Sequence, residues 1–168
     1  RQMCIRDSAK FRQYVDGCRK NGIEIKGVYH FSYALNAEQA TQEAAFCIKQ
    51  MEQAGLGKDV IVFYDFEYDT VKKAKAKGVT LGKNECIAFT KAFCEYVESH
   101  GYKAGVYSNI DYHRNMYSDE VLSKYVYWLA DYTGSPDYDC AFHQYTSSGT
   151  VSGIDGKVDM DYYYGEEI

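Results

Sequence analysis

The sequence predicts an α/β fold, most economically a (β/α) barrel of the TIM type or a modified form of it. Three times the chain runs through an amphipathic helix, meets a glycine and enters an apolar strand a few residues later. Strands that alternate with helices indicate parallel strands joined by right-handed crossovers. The carboxyl-terminal half has closely spaced strand candidates instead, which favours antiparallel later strands.

Glycine delimits the three repeats, because a glycine after a helix takes the left-handed conformation at little cost. The predicted helices begin near residues 9, 36 and 83 and end at Gly22, Gly55 and Gly101. The second opens at Asn36 with Gln39 three residues later, which resembles a capping box. Apolar strands are predicted at residues 25–31, 60–65 and 104–108.

The carboxyl-terminal half of the chain shows a different pattern of predicted elements. A short helix is predicted over residues 119–124, followed by strands at residues 125–132, 141–146 and 157–164. Glycines and the single proline, Pro136, lie between these strands. Hairpin-like connections fit such spacing better than full helices.

Length and charge exclude several classes of protein. A chain of 168 residues has the length of a single domain. Its net charge of -5 argues against a nucleic-acid partner, since phosphate contacts need clustered Lys and Arg. The short basic cluster at residues 72–77 is interpreted as a solvated face. No apolar run approaches the roughly 20 residues that cross a bilayer, so no membrane partner is expected.

Cysteine and histidine give no sign of a metal site or a disulfide framework. The six cysteines include no C-x-x-C pair, and no zinc-ligand spacing links them to the four histidines. Neither a metal nor a cofactor is therefore expected.

Two carboxylates at the end of an apolar strand are the strongest functional signal. Asp65 and Glu67 are spaced i, i+2 after the run at residues 60–64, so both project from one face about 7 Å apart. Glycoside hydrolysis uses two carboxyl groups held about 5 to 9 Å apart. The alternative interpretation is that both acids are simply exposed to solvent at the end of a strand.

The predicted fold strengthens the catalytic interpretation, because active sites of such barrels lie at the carboxyl ends of the strands. Other polar residues also occupy predicted strand ends: His30, Ser32, Ser108, Asn109, Asp131, Gln144, Asp159 and Asp161. The chain has 18 tyrosines, whose flat faces and hydroxyls suit a sugar-binding cleft, although many must serve packing instead.

Six segments in order resemble the family 25 glycoside hydrolases, the N-acetylmuramidase lysozymes. They are GVYHF at 27–31, YDFE at 64–67, GVYSN at 105–109, YWLA at 127–130, QYT at 144–146 and VDMD at 158–161. The resemblance implies cleavage of the β-1,4 bond between N-acetylmuramic acid and N-acetylglucosamine in peptidoglycan. It also implies an extracellular or cell-wall location, for a secreted or a phage-released enzyme.

The resemblance assigns roles to particular residues. It makes Glu67 the general acid and Asp65 a supporting charge, with Asp159 the acid on the last strand. Asp161, on the same face of the strand, is a weaker candidate for that role. The residues implied to line the sugar cleft are Tyr29, Phe31, Tyr33, Tyr107, Trp128, Gln144 and Asp161. A glutamate beside a second carboxylate has its pKa raised, which agrees with an acid role if Asp65 stays ionised.

The amino terminus departs from the family pattern. Family members begin with a strand bearing an Asp-x-Ser motif, then a helix and a second strand, and residues 1–8 show neither that motif nor strand alternation. The expectation is an irregular, non-family leader at 1–8 and an incomplete catalytic domain at 9–168 that lacks the first two barrel strands.

Three other functions stay open at this point. The first is an impaired enzyme that binds cell-wall glycan without cutting it. A metal-dependent polysaccharide deacetylase is disfavoured, because it needs an Asp and two histidines in ligand spacing. A plain structural or interaction domain is the last.

Overall fold

The structure, a computed structural model of the chain, describes residues 8–165. The predicted leader at residues 1–8 lies outside that range, apart from Ser8, which begins the first helix. The elements are α1 (Ser8–Lys20), β1 (Gly27–Phe31), α2 (Ala37–Gln53), β2 (Ile61–Asp65), α3 (Tyr68–Ala76), α4 (Lys83–Ser99), β3 (Ala104–Asn109), α5 (Ile110–Asn115), α6 (Asp119–Leu122), β4 (Val126–Ala130), β5 (Phe142–Gly149) and β6 (Val158–Tyr163).

The six described strands form one mixed sheet in chain order, β1 to β6, which confirms the predicted α/β class. Strands β1 to β5 are parallel, and β6 is antiparallel to β5. Phe31 pairs with Asp65, which pairs with Tyr107, so the carboxyl ends of these strands meet at one edge. The expectation that this domain lacks the first two strands of the family's barrel stays a prediction.

The predicted hairpin between β4 and β5 is wrong, because these strands are parallel. The loop between them contains no helix and returns the chain to the edge of the sheet where the parallel strands begin. It is held by buried Asp131, whose carboxylate accepts hydrogen bonds from Thr133 N (3.0 Å), Thr133 Oγ1 (2.7 Å) and Asp137 N (3.0 Å). A single carboxylate thus organises a crossover that sequence spacing suggested was a turn.

Helix boundaries follow the glycine and capping signals. Gly22, Gly55 and Gly101 all have positive φ. Asn36 Oδ1 accepts from Gln39 N, as predicted, whereas the Gln39 side chain accepts from Leu35 N instead of Asn36 N. No helix among residues 8–165 is long and apolar enough to cross a membrane.

Side chains alternate across the sheet and build two cores. The outer face packs against helices α2 and α4 through residues such as Val28, Val62 and Val106, with Phe93 of α4 fully buried. The inner, concave face has its own cluster of buried residues: Ile61, Phe63, Tyr107, Trp128 and Ala130. Strand β2 is buried at every position, as expected for a strand covered on both faces.

Glycines on both neighbouring strands make room for the Phe63 ring. A Cβ added to Gly27 would lie 2.7 Å from that ring, and one added to Gly105 would lie 2.4 Å from it. The ring in turn packs edge-on against Trp128, with centroids 5.3 Å apart. The inner core therefore depends on small residues at these two positions.

We expect Gly105→Ala to lower the free energy of unfolding by about 1 to 3 kcal/mol, because the added methyl group overpacks the Phe63 ring. Gly17→Ala is the matched control, since a Cβ there meets nothing within 4 Å and position 17 is helical. That change should stabilise by up to about 1 kcal/mol. Urea denaturation of both variants measures the difference, and equal effects would contradict the packing argument.

Candidate active site

One pocket of about 320 Å³ at the carboxyl-terminal edge of the sheet brings together eight of the ten predicted site residues. They are Tyr29, Phe31, Asp65, Glu67, Tyr107, Trp128, Gln144 and Asp159. Tyr132 also lines it. Because β6 is four strands away from β2 in the sheet order, only the curvature of the sheet brings Asp159 to the Asp65 and Glu67 side.

Asp65 ends β2 and is almost fully buried, at 6% exposure. Its Oδ1 has no hydrogen-bond partner among the described residues. Burial, and then the charge of Glu67, raise the pKa of this carboxyl well above its ordinary value. An uncompensated carboxylate in such surroundings is costly, so the site favours the protonated form.

Glu67 lies between β2 and α3 in extended backbone conformation, with φ -133°. Its N–H donates to Thr70 Oγ1 (3.2 Å), and that hydroxyl donates to the carbonyl of Ser32 (2.8 Å). The first turn of α3 is thereby fixed to the loop that follows β1. The alternation of strand side chains stops before Glu67, because Glu67 is the N-cap of α3. The sequence pattern did not predict this helix.

The pKa of Glu67 is raised, first by burial and then by the charges of Asp69 and Asp159, and a hydrogen bond from Tyr107 opposes that rise. Burial raises the pKa of Asp159 as well. Three carboxyls with raised pKa values thus line one pocket. Such clusters are typical of sites that transfer protons.

The raised pKa of Glu67 is predicted from like-charge repulsion together with desolvation, and burial is the larger cause. The condition that Asp65 stays ionised is not favoured, because burial raises the pKa of Asp65 as well. The deeper carboxyl, Asp65, has the more strongly raised pKa of the two. Asp65 and Glu67 therefore titrate as a coupled pair that retains a proton. Glu67 is the more accessible member, and Tyr107 stabilises its ionised form.

Trp128 is held in place at the floor of the pocket. Its Nε1 donates to Asp161 Oδ1 at 2.8 Å, and its ring packs edge-on against Tyr107 with centroids 4.8 Å apart. Asp161 itself lines a separate pocket, between β1 and β6, beside Tyr163. The structure thus places Asp161 beneath the candidate site, where it orients Trp128.

Tyr33 also lies outside the pocket, on its rim. Its ring packs against Phe31 at 5.1 Å, and its hydroxyl accepts a hydrogen bond from Lys73 Nζ at 2.7 Å. Lys73 lies 3.9 Å from the centre of the same ring. Tyr33 therefore connects the pocket to helix α3.

Sequence reasoning did not select Tyr132 as a site residue. It follows β4, is 55% exposed, and donates to Gln144 Oε1 at 2.5 Å. Tyr107 reaches the same oxygen at 3.5 Å. The available signal was its position just past the end of a strand that bears Trp128, next to Asp131.

The other polar strand-end residues do not join the pocket. His30 points to the outer face, where its Nε2 lies 3.6 Å from Glu43 Oε2. Ser32 donates to the same Glu43 carboxylate, and Asn109 caps α5 by accepting from Tyr112 N. Within residues 8–165, no group of three or more His, Cys, Asp and Glu side chains is arranged to hold a metal ion.

The chain is similar to a protein called autolytic lysozyme from Clostridium acetobutylicum. The two are 27% identical over 156 residues, which cover 90% of this chain and 43% of that protein. The chain therefore spans less than half the length of this curated relative.

Solved structures share the fold. The modular autolysin LytC from Streptococcus pneumoniae matches with a TM-score of 0.77 and 24% identity, over 92% of this chain and 37% of LytC. A second LytC structure, with a synthetic peptidoglycan ligand, matches with the same TM-score at 22% identity and over the same shares of the two chains. The catalytic domain of endolysin ply40, from bacteriophage P40 of Listeria monocytogenes, matches with a TM-score of 0.60 and 21% identity, over 89% of this chain and 72% of ply40.

The sequence model of the glycosyl hydrolases family 25 matches residues 5–154, most of the chain. That match, together with the curled sheet, shows that the chain belongs to glycosyl hydrolases family 25.

Proposed function

We propose that this chain is a peptidoglycan hydrolase that cleaves the β-1,4 bond between N-acetylmuramic acid and N-acetylglucosamine. The observation that carries the proposal is the cluster of Asp65, Glu67 and Asp159 in one aromatic-lined pocket. Family membership supports glycosidase chemistry. The autolytic lysozyme of Clostridium acetobutylicum and the LytC structure with a peptidoglycan ligand support the choice of substrate.

In this proposal Glu67 is the general acid. Its proton passes to the glycosidic oxygen as the bond from that oxygen to the anomeric carbon breaks; water then supplies the new hydroxyl at that carbon, and its other proton returns to the Glu67 carboxylate. Asp65 supports Glu67 by sharing one proton with it before the reaction, and once that proton has passed through Glu67 to the glycosidic oxygen, the ionised Asp65 stabilises the developing positive charge. Asp159, on β6, is the third carboxylate of the site and acts on the bound sugar ring.

The aromatic walls suit a glycan. Tyr29, Phe31 and Tyr132 offer ring surface to pyranose rings above the buried Trp128, while Gln144 and the tyrosine hydroxyls offer hydrogen bonds. Since peptidoglycan lies outside the cytoplasmic membrane, we propose that the protein acts at the cell wall, as a secreted or phage-released enzyme. Attack by the substrate's own acetamido group and direct attack by water are both compatible with this arrangement.

Glu67→Gln should reduce the release of reducing ends from purified peptidoglycan by about 10² to 10⁴-fold, because the amide cannot donate the proton. Glu52→Gln, on the exposed face of α2, is the matched control and should retain full activity. Turbidity clearing and reducing-end analysis measure both. Activity retained by the Glu67 variant would remove the residue from its role, and a wild type that binds glycan without cutting it would favour a binding module.

Tyr107→Phe should move the alkaline limb of the pH–activity profile to higher pH. The hydrogen bond from Tyr107 stabilises ionised Glu67 and lowers its pKa, so its loss lets Glu67 keep its proton to higher pH. Rates measured between pH 4 and 9 test this. A limb that stays in place, or moves to lower pH, would contradict the assignment of Glu67 as the acid.

Asp65→Asn should increase the free energy of unfolding at pH 7 by about 1 to 3 kcal/mol, with a smaller gain at pH 4. Because the folded pKa of Asp65 is raised, the unfolded chain loses this proton first as pH increases, so ionisation destabilises the folded state above about pH 4. Urea denaturation at both pH values measures the gain. Asp16→Asn, on the exposed side of α1, should change neither value, and a gain independent of pH would contradict the burial argument.

A further inference from the structure

Helix α3 carries an unusual concentration of positive charge. Residues 70–83 contain five lysines and no Asp or Glu, in a chain whose net charge is -5. Tyr68, Lys72 and Lys75 are spaced i, i+4, i+7, so they form one stripe along the helix. We call this the α3 stripe, and it begins at the residue directly after Glu67.

The lysines of the α3 stripe are exposed and have no acidic partner within 4 Å among the described residues. The nearest acid on the helix, Asp69, faces Lys73 instead, at 4.0 Å. Some exposed cations elsewhere are paired with acids, as in Lys91 with Glu120 at 3.2 Å and Arg114 with Asp137 at 3.0 Å. Lys72 and Lys75 therefore present uncompensated charge, whereas Tyr68, at the start of the stripe, donates to Asp111 Oδ2 at 2.6 Å.

Helix α3 is anchored beside the candidate active site by residues next to the α3 stripe. Thr70 donates to the Ser32 carbonyl, and Lys73 binds the Tyr33 hydroxyl, so α3 lies along the loop that follows β1. Tyr33 packs on Phe31, which lines the pocket. At 1.5 Å per residue, Lys72 and Lys75 lie about 8 and 12 Å along the helix from Glu67.

We propose that the α3 stripe binds carboxylates of the peptide that branches from the substrate glycan. The inference rests on the proposed function, because it requires peptidoglycan in the pocket. Peptidoglycan carries short peptides on its muramic acid units, and an extended peptide of five residues spans about 17 Å. Such a branch reaches from the pocket to Lys75.

Attachment to the bound glycan is what favours this ligand. A carboxylate tethered to a sugar already in the pocket has an effective concentration in the millimolar range, so weak exposed ion pairs are sufficient to hold it. A separate anionic wall polymer gains no such advantage. The α3 stripe thus distinguishes peptide-bearing glycan from the same glycan without peptide charge.

The test uses a peptide-bearing tetrasaccharide in two forms, one with free peptide carboxylates and one with those carboxylates converted to amides. Lys72→Gln/Lys75→Gln should raise KM and Kd about three- to tenfold for the charged form only, and 0.5 M salt should remove the difference. Lys20→Gln/Lys49→Gln, which removes two exposed lysines from α1 and α2, is the matched control and should change neither constant.

Two results would overturn the inference. One is an equal effect of the α3 double substitution on the charged and amidated forms, and the other is an equal effect of the control. Loss of binding to an anionic wall polymer alone would also count against it. Kd is measured beside KM, so a chain that binds this glycan without cleaving it contradicts the proposed hydrolase but still tests the α3 stripe.

Discussion

The packing of Phe63 and Trp128 on the concave face of the sheet is the constraint on which the rest of the molecule depends. These rings fill the inner core, and Gly27 and Gly105 admit Phe63 between its neighbouring strands. The sheet must curl to bury them. That same curvature brings Asp159 on β6 to the pocket formed at the end of β2, although four steps of the sheet order separate the two strands.

Burying the carboxyls sets both their chemistry and their cost. Asp65 lies at 6% exposure with an unpartnered oxygen, so its protonated form is favoured and its ionised form destabilises the fold. Glu67 is less buried and receives a hydrogen bond from Tyr107, which opposes the rise in its pKa. Two acids two residues apart therefore have different environments, which allows one to store a proton and the other to deliver it.

Local pattern predicted much of the fold and of the pocket. The strand alternation around Asp65, the glycine stops and the Asn36 cap are properties of short segments, and the resemblance added Asp159. Helix α3 was missed because its first turn is anchored by Thr70 to Ser32, which is distant in sequence. The parallel β4–β5 crossover was missed because it depends on hydrogen bonds to Asp131. Asp161 shares a face with Asp159, yet only the structure shows it bound to Trp128.

Helix α3 separates charges of opposite sign at the site. At its start Glu67, Asp69 and the nearby Asp65 are acidic, and within two turns its exposed side chains include Lys72, Lys73 and Lys75. An anionic group attached to a glycan is repelled by the carboxyls of the pocket and attracted by the lysines beyond it. The helix that fixes the proposed acid would thereby direct a charged branch away from the reacting bond. The position of Glu67 and the recognition of such a branch would then depend on the same contacts, which hold α3 to the loop after β1: Thr70 with Ser32 and Lys73 with Tyr33.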